Sequence, residues 1–153
     1  MHPSTPPPLT IRPAVGADAA SLARLLTVLG HPTNAHDLAQ RWPDWLAAGN
    51  VALVAAAADG TLVGAATLGR MFVLHRPRPV GRITALVVEP TWRGQGIGRA
   101  LVQAAERQLA DAGCGLLEVT SNERLEAAHA FYQRLGYRRT SLRFAKELTA
   151  GGA

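Results

Sequence analysis

The stretch "EPTWRGQGIGRALV" (residues 89–102) governs the reading of the whole chain. Gly94, Gly96 and Gly98 stand on alternate positions, flanked by Arg93 and Arg99, and an apolar pattern of helical spacing follows. Glycines this close together lose much conformational entropy on folding, which implies a ligand that needs bare backbone. Residues 83–88 before them read as a strand. Residues 96–112 after them read as a helix with Ile97, Leu101, Ala105, Leu109 and Ala112 on one face, stopped by Gly113. The first amides of such a helix have no intrahelical acceptor and point at the turn. The helix dipole and the two arginines add positive charge, so the turn suits a phosphate and, better, a pyrophosphate. Two familiar spellings do not apply. A P-loop ends in Gly-Lys-Ser/Thr, whereas Arg99 and Ala100 follow Gly98 here; a dinucleotide fingerprint needs a third glycine where Arg99 stands.

Residues 9–12 form a short strand candidate. Asp18 is placed to cap a helix carrying Leu22, Leu25, Leu26 and Leu29, which Gly30 ends. Asn34 is a second N-cap candidate, and Leu38, Trp42 and Leu46 recur every four residues; Pro43 interrupts them, so a bent or two-piece helix is expected. Residues 51–57 and 62–68 read as strands joined by a tight "ADG" turn. A mixed, proline-containing loop precedes residue 83. Residues 116–120 read as a strand, 124–135 as a helix ended by Gly136, and 137–148 as one or two closing strands. The order β–α–α–β–β–β–α–β–α–β is that of a mixed α/β sheet domain.

A chain of 153 residues, 48% hydrophobic, suits one domain with one core. The expected organisation is a disordered, proline-rich lead-in over 1–8, a single domain over 9–148 and a tail over 149–153. No apolar run approaches the roughly 20 residues that span a bilayer, and the N-terminus has no apolar signal core, so neither a membrane nor a secretory signal is expected. The one cysteine, Cys114, leaves no internal disulfide framework, as suits a cytoplasmic protein; it reads as a small buried hydrophobe. The formal charge of +5 is scattered rather than gathered into a basic run, so nucleic acid is not the expected partner. The five histidines are not joined by Cys, Asp or Glu at ligand spacing, so no metal is expected.

"LVVEPTWRGQGIGRAL" resembles the acetyl-CoA signature of the GCN5-related N-acetyltransferases, with the core Arg/Gln-x-x-Gly-x-Gly/Ala met by Arg93, Gly96 and Gly98. "SNERLEAAHAFYQRLGY" (residues 121–137) resembles the second signature of that family, at the expected distance downstream. The resemblance is strong over residues 81–148 and unspecific before them. It implies a mixed sheet flanked by helices and acetyl-CoA as cofactor. It also implies that the pantetheine arm lies along the strand edge at Leu86, Val87 and Val88, which requires that edge to be unpaired toward residues 116–120. The pyrophosphate would then meet Arg93, Gly94, Gln95, Gly96, Ile97, Gly98 and Arg99. Asn122 matches a position that often bonds the cofactor arm, although a helix N-cap explains it as well.

Tyr132 matches the tyrosine that in many members lies near the cofactor sulfur. An amine attacks the thioester carbonyl and a thiolate leaves. A phenol titrating near about 10 is protonated at neutral pH and can donate as the thiolate departs. A general base is harder to name, because Thr84 stands where many relatives carry a glutamate on the strand before the turn. Glu118, His129 and a water chain are the substitutes, His129 being three residues before Tyr132 on one helix face. The acceptor pocket is expected from the N-terminal half, with Trp42, His75 and Arg76 as candidates. Trp45 and Arg78 lie nearby, and Arg76 and Arg78 are able to pair with an acidic substrate group. The tail "GYRRTSLRFAKEL" also resembles the ending of small-amine acetyltransferases, including those for aminoalkylphosphonates. A small-molecule amine is therefore the expected acceptor. A protein N-terminus, or a domain that binds acyl-CoA without catalysis, is the alternative, and a homodimer stays open.

Overall fold

Short apolar runs broken by tight turns favour a sheet meander, and a long amphipathic helix must bury its stripe against such a sheet. In the computed structural model, residues 8–120 and 126–149 are described; they belong to two compact units, Met1–Thr120 and Ser121–Ala153. Positions 1–7 of the expected lead-in, 121–125 with Asn122, and 150–153 of the tail lie outside the described residues.

The first unit runs β1 (Leu9–Pro13), α1 (Ala19–Leu29), α2 (Ala35–Ala47), β2 (Val51–Ala57), β3 (Leu62–Met71), β4 (Val80–Val88), α3 (Ile97–Asp111) and β5 (Leu116–Val119). The five strands form one sheet in chain order, antiparallel except for the parallel pair β4–β5, which α3 connects. The expected mixed sheet flanked by helices is what forms. Leu22 and Leu25 of α1 pack with Val54, Ala65 and Val87 on one face. Ile97 and Leu101 of α3 lie over Gly64 on the other, where an added Cβ would meet Leu101 Cδ1 at 3.0 Å. At the far end of α3 an added Cβ on Gly81 would meet Leu109 at 2.9 Å and Cys114 Sγ at 3.2 Å. Two strand glycines thus let α3 lie close along β3 and β4, which fixes its N-terminus beside the C-terminal end of β4. Cys114 is partly buried, as a small packing residue, and is a free thiol.

Three local expectations change. Asp18 does not cap α1: its carboxylate takes Arg12 through two bonds of 2.8 and 3.0 Å and the Val15 amide at 2.8 Å, which holds it below the usual carboxylate range. A charged guanidinium outcompetes helix amides for it. Asn34 does cap α2, accepting from the Asp37 amide at 2.8 Å. Pro43, however, sits inside an unbroken helical span, Ala35–Ala47, so α2 is not in two pieces. Stacking of Trp42 on Trp45, 5.3 Å between ring centroids, and packing of Trp42 against the core carry the helix past the missing donor. Finally, β3 and β4 are longer than expected, because ladder pairing with their neighbours extends through Gly69 and Gly81.

The second unit contains α4 (Glu126–Arg134). Residues 137–148, expected as closing strands, have no regular secondary structure, and Leu142, Phe144 and Leu148 are exposed. Alternating apolar residues supply strand propensity, but a strand also needs a hydrogen-bonded neighbour. No described helix is long and apolar enough to cross a membrane.

Candidate functional site

β4 changes character halfway along. Its first part pairs with β5, from Val80 opposite Leu116 to Ile83 opposite Val119. Beyond Ile83 it pairs with β3 alone, and among the described residues no strand lies on its other edge. In an antiparallel pair the hydrogen-bonded positions alternate. Glu89 donates to Val63 O at 2.8 Å, so Val87 faces β3 with both backbone groups while Leu86 and Val88 turn theirs to the open edge. Arg93 confirms the direction, since its Nε donates to the outward Val88 carbonyl at 3.3 Å. The unpaired edge that the sequence required is therefore present, and it opens at Leu86 and Val88.

That edge runs into the glycine turn. A 3-10 turn at Pro90–Trp92 leads to Gly94 and Gly96, both at φ +80°. This left-handed conformation disfavours any side chain, and an added Cβ at either position would point into open space. Gly96 is the N-cap of α3 and offers no side-chain bond, and the first intrahelical bond is Ala100 N to Gly96 O at 3.0 Å. The amides of Ile97, Gly98 and Arg99 come before it and lack intrahelical acceptors. Gln95 and Arg99 are exposed, whereas the Ile97 side chain is buried in the core, leaving it only its backbone to offer a ligand. Val87, expected among the cofactor residues, is buried and has both backbone groups on β3, so it faces the core and the sheet instead of the open edge. An open strand edge, a left-handed glycine pair, free helix amides and two arginines fit a long ligand with a polar arm and a pyrophosphate, as acetyl-CoA is.

The turn is also anchored from behind by residues that the sequence did not single out. Arg24 of α1 pairs with the Glu89 carboxylate and donates to Leu62 O at 3.1 Å. One side chain so ties α1, the start of β3 and the entrance to the turn. No motif signals this pair, whose members are 65 residues apart.

Glu118, a candidate base, is bonded to Arg82 at 3.0 Å, its register partner across β4–β5. That ion pair sits in the closed part of the strand pair, giving Glu118 a bracing task. The Arg82 Nε is buried and, among the described residues, has no hydrogen-bond partner. His75 and Arg76 are exposed in the β3–β4 loop, next to Val80 and therefore at the opposite end of β4 from the glycine turn. Eight steps of about 3.3 Å separate those ends, about 26 Å. Arg78 lies across the Gly115 backbone. Trp42 is half-buried against the core, so packing accounts for much of its surface.

In the second unit Tyr132 is half-buried and ringed by aromatics. Its centroid lies 5.2 Å from Phe131 and 5.9 Å from Tyr137, both edge-on. Gly136, at φ +93°, ends α4 with paired bonds from Tyr137 N to Tyr132 O and Gly136 N to Gln133 O, both 3.0 Å. This is a Schellman motif, and the Tyr132–Tyr137 contact is its accompanying apolar pair. The helix stop therefore orients the Tyr132 ring. Burial raises its phenol above the ordinary value, keeping the proton on at neutral pH. His129 is three residues earlier on α4, at a spacing that shares a helix face. Among the described residues no group of His, Cys, Asp and Glu is arranged to hold a metal.

Comparison with known proteins agrees with this geometry. Residues 20–137 match the family model described as the acetyltransferase (GNAT) family. The chain is 39% identical over 137 residues to an aminoglycoside N(6')-acetyltransferase type 1 of Stenotrophomonas maltophilia, covering 86% of this chain and 87% of that one. It is 41% identical over 90 residues to an aminoalkylphosphonate N-acetyltransferase of Salmonella typhimurium, covering 59% of this chain and 58% of that protein's length. Among solved structures, an acetyltransferase of Trypanosoma brucei superposes with a TM-score of 0.80 at 30% identity, over 92% of this chain and all of that one (100%).

Proposed function

The chain belongs to the acetyltransferase (GNAT) family, and from that premise we propose that it moves an acetyl group from acetyl-CoA directly to a primary amine of a small molecule, both bound together. The observation that carries the reading is the meeting of β4's open edge with the glycine turn at one place. Leu86 and Val88 offer outward N–H and C=O groups to the amide-bearing arm. Arg93, Gly94, Gln95, Gly96, Gly98 and Arg99 cradle the pyrophosphate, with Ile97 adding its amide and anchoring the helix through its buried side chain. When bound, acetyl-CoA supplies an activated acyl group with a thiolate leaving group.

Tyr132 holds the proton that the departing thiolate takes, and its burial favours the neutral, donating form. The amine's proton leaves through water or His129, since Arg82 occupies Glu118. The two relatives, an aminoglycoside and an aminoalkylphosphonate N-acetyltransferase, favour a small polyfunctional amine. His75, Arg76 and Arg78, at the far end of β4, meet an anionic group only on an acceptor long enough to reach them from the open edge, which an aminoglycoside-sized molecule approaches and an aminoalkylphosphonate does not.

The test is acetyl-CoA turnover, read as free CoA thiol, across aminoglycosides, aminoalkylphosphonates, amino acids, simple diamines and short peptides. Steady thiol release with a small amine supports the reading. Release with peptides alone redirects it to protein N-termini, and tight acetyl-CoA binding without release redirects it to an acyl-CoA-binding module.

A further inference from the structure

Where β4 leaves β5, the strand carries one residue too many. Thr67 stands opposite Ala85 and Leu68 opposite Ile83, so Thr84 has no counterpart on β3. The resulting bulge drops Thr84 onto Thr67. Their hydroxyl oxygens are 2.6 Å apart, and Thr84 Oγ1 also reaches the Thr67 carbonyl at 3.1 Å. Only one proton assignment satisfies both contacts: Thr84 donates to Thr67 O, and Thr67 donates to Thr84 Oγ1. Neither hydroxyl then has a proton for an outside group. Three lone pairs remain, one on Thr84 and two on Thr67, so the pair offers acceptors only.

Its position is equally specific. Ala65 faces α1, and Thr67, two residues on, shares that face. Thr84 is exposed, so the pair opens to solvent on the face away from α3. Thr84 is the first residue past the β4–β5 ladder and two positions from the outward-turned Leu86. Two positions the other way, Arg82 is neutralised by Glu118 at 3.0 Å, so it presents no uncompensated charge to a cation.

We propose that the Thr67–Thr84 hydroxyl pair is the docking point for the acceptor amine, taking N–H donors from the nitrogen that is acetylated. The inference rests on the acetyl-transfer reading above. An acceptor-only pair suits an ammonium or amine and rejects a carboxylate or phosphate, which leaves any anionic group of the substrate to be held elsewhere. Thr84 fills the strand position without a carboxylate because orientation of the nitrogen, rather than removal of its proton, is its task.

The experiment compares Thr84→Val, which keeps the shape and removes the lone pairs, with Thr84→Ser, which keeps the hydroxyl. The probes are 2-aminoethylphosphonate and an aminoglycoside with a free 6′-amine. Thr84→Val should raise the amine KM about 10-fold or more, the loss of one hydrogen bond to a charged group, while the acetyl-CoA KM and the melting temperature hold. Thr84→Ser should stay within about 3-fold of wild type, and Thr67→Val should behave as Thr84→Val does. A pair that merely staples the bulge would lower the melting temperature and leave the amine KM alone. An active wild type with an unchanged amine KM in folded Thr84→Val overturns this inference and leaves acetyl transfer standing. A wild type silent with both probes, and with the wider amine panel, removes both.

Discussion

The two halves of β4 are nearly equal in length, yet they do different work. Val80–Ile83 is laddered on both edges and lies beneath α3, with Gly81 admitting Leu109 and an Arg82–Glu118 pair bracing the strands. Thr84–Val88 is laddered on one edge, carries a bulge and runs into a turn built of left-handed glycines. The closed half holds the sheet together, and the open half spends the same kind of backbone on a ligand. A site of this kind needs no unusual side chains, only a strand pair that stops early and a helix set at the gap.

Substitutions on the two sides separate these roles. The largest effect belongs to Gly96→Glu. Any side chain at the left-handed Gly96 costs about 1–2 kcal/mol of backbone strain, and a carboxylate so close to the α3 N-terminus repels a pyrophosphate. Acetyl-CoA affinity by calorimetry should fall about 1,000-fold, roughly 4 kcal/mol, in a protein that still folds. Unchanged affinity would break the assignment of the open half. Next is Tyr132→Phe, which should lower kcat about 100-fold with little change in acetyl-CoA affinity. The pH dependence has a definite sign. An acid whose pKa is raised stays protonated throughout neutral pH, so its contribution is lost only as pH climbs past the ordinary phenol value of about 10. Wild-type turnover in the phenylalanine variant would reduce Tyr132 to its ring contacts.

The smallest effect is the control from the closed half. Gly81→Ala puts a methyl group 2.9 Å from Leu109. Stability should drop by about 1–3 kcal/mol, a few degrees in melting temperature, while acetyl-CoA affinity stays near wild type. A binding loss as large as that of Gly96→Glu would erase the distinction between the halves.

How much of this was legible in the sequence follows from which features are local. The glycine turn, the Asn34 cap, the helix stops and β2 are set by neighbours within a few residues, and each formed where the pattern placed it. The bulge at Thr84 depends on how β3 pairs, so only the register reveals it. Arg24–Glu89 and Arg82–Glu118 join distant segments and carry no local signature. Gly81 falls in the expected loop, yet it is a strand residue, and its missing side chain, like that of Gly64, makes room for α3. The expected closing strands failed for the complementary reason, since residues 137–148 have the alternation of a strand and, among the described residues, no ladder to join.

The central claim is that the outer edge of β4 past Ile83 is where the cofactor lies, and amide hydrogen exchange by NMR with and without CoA tests it residue by residue. The account predicts that CoA slows exchange of the Leu86 and Val88 amides and those from Gly94 to Arg99 by about 10-fold or more, while amides of Val80–Ile83 do not change. Tight CoA binding that leaves Leu86 and Val88 unprotected would contradict it.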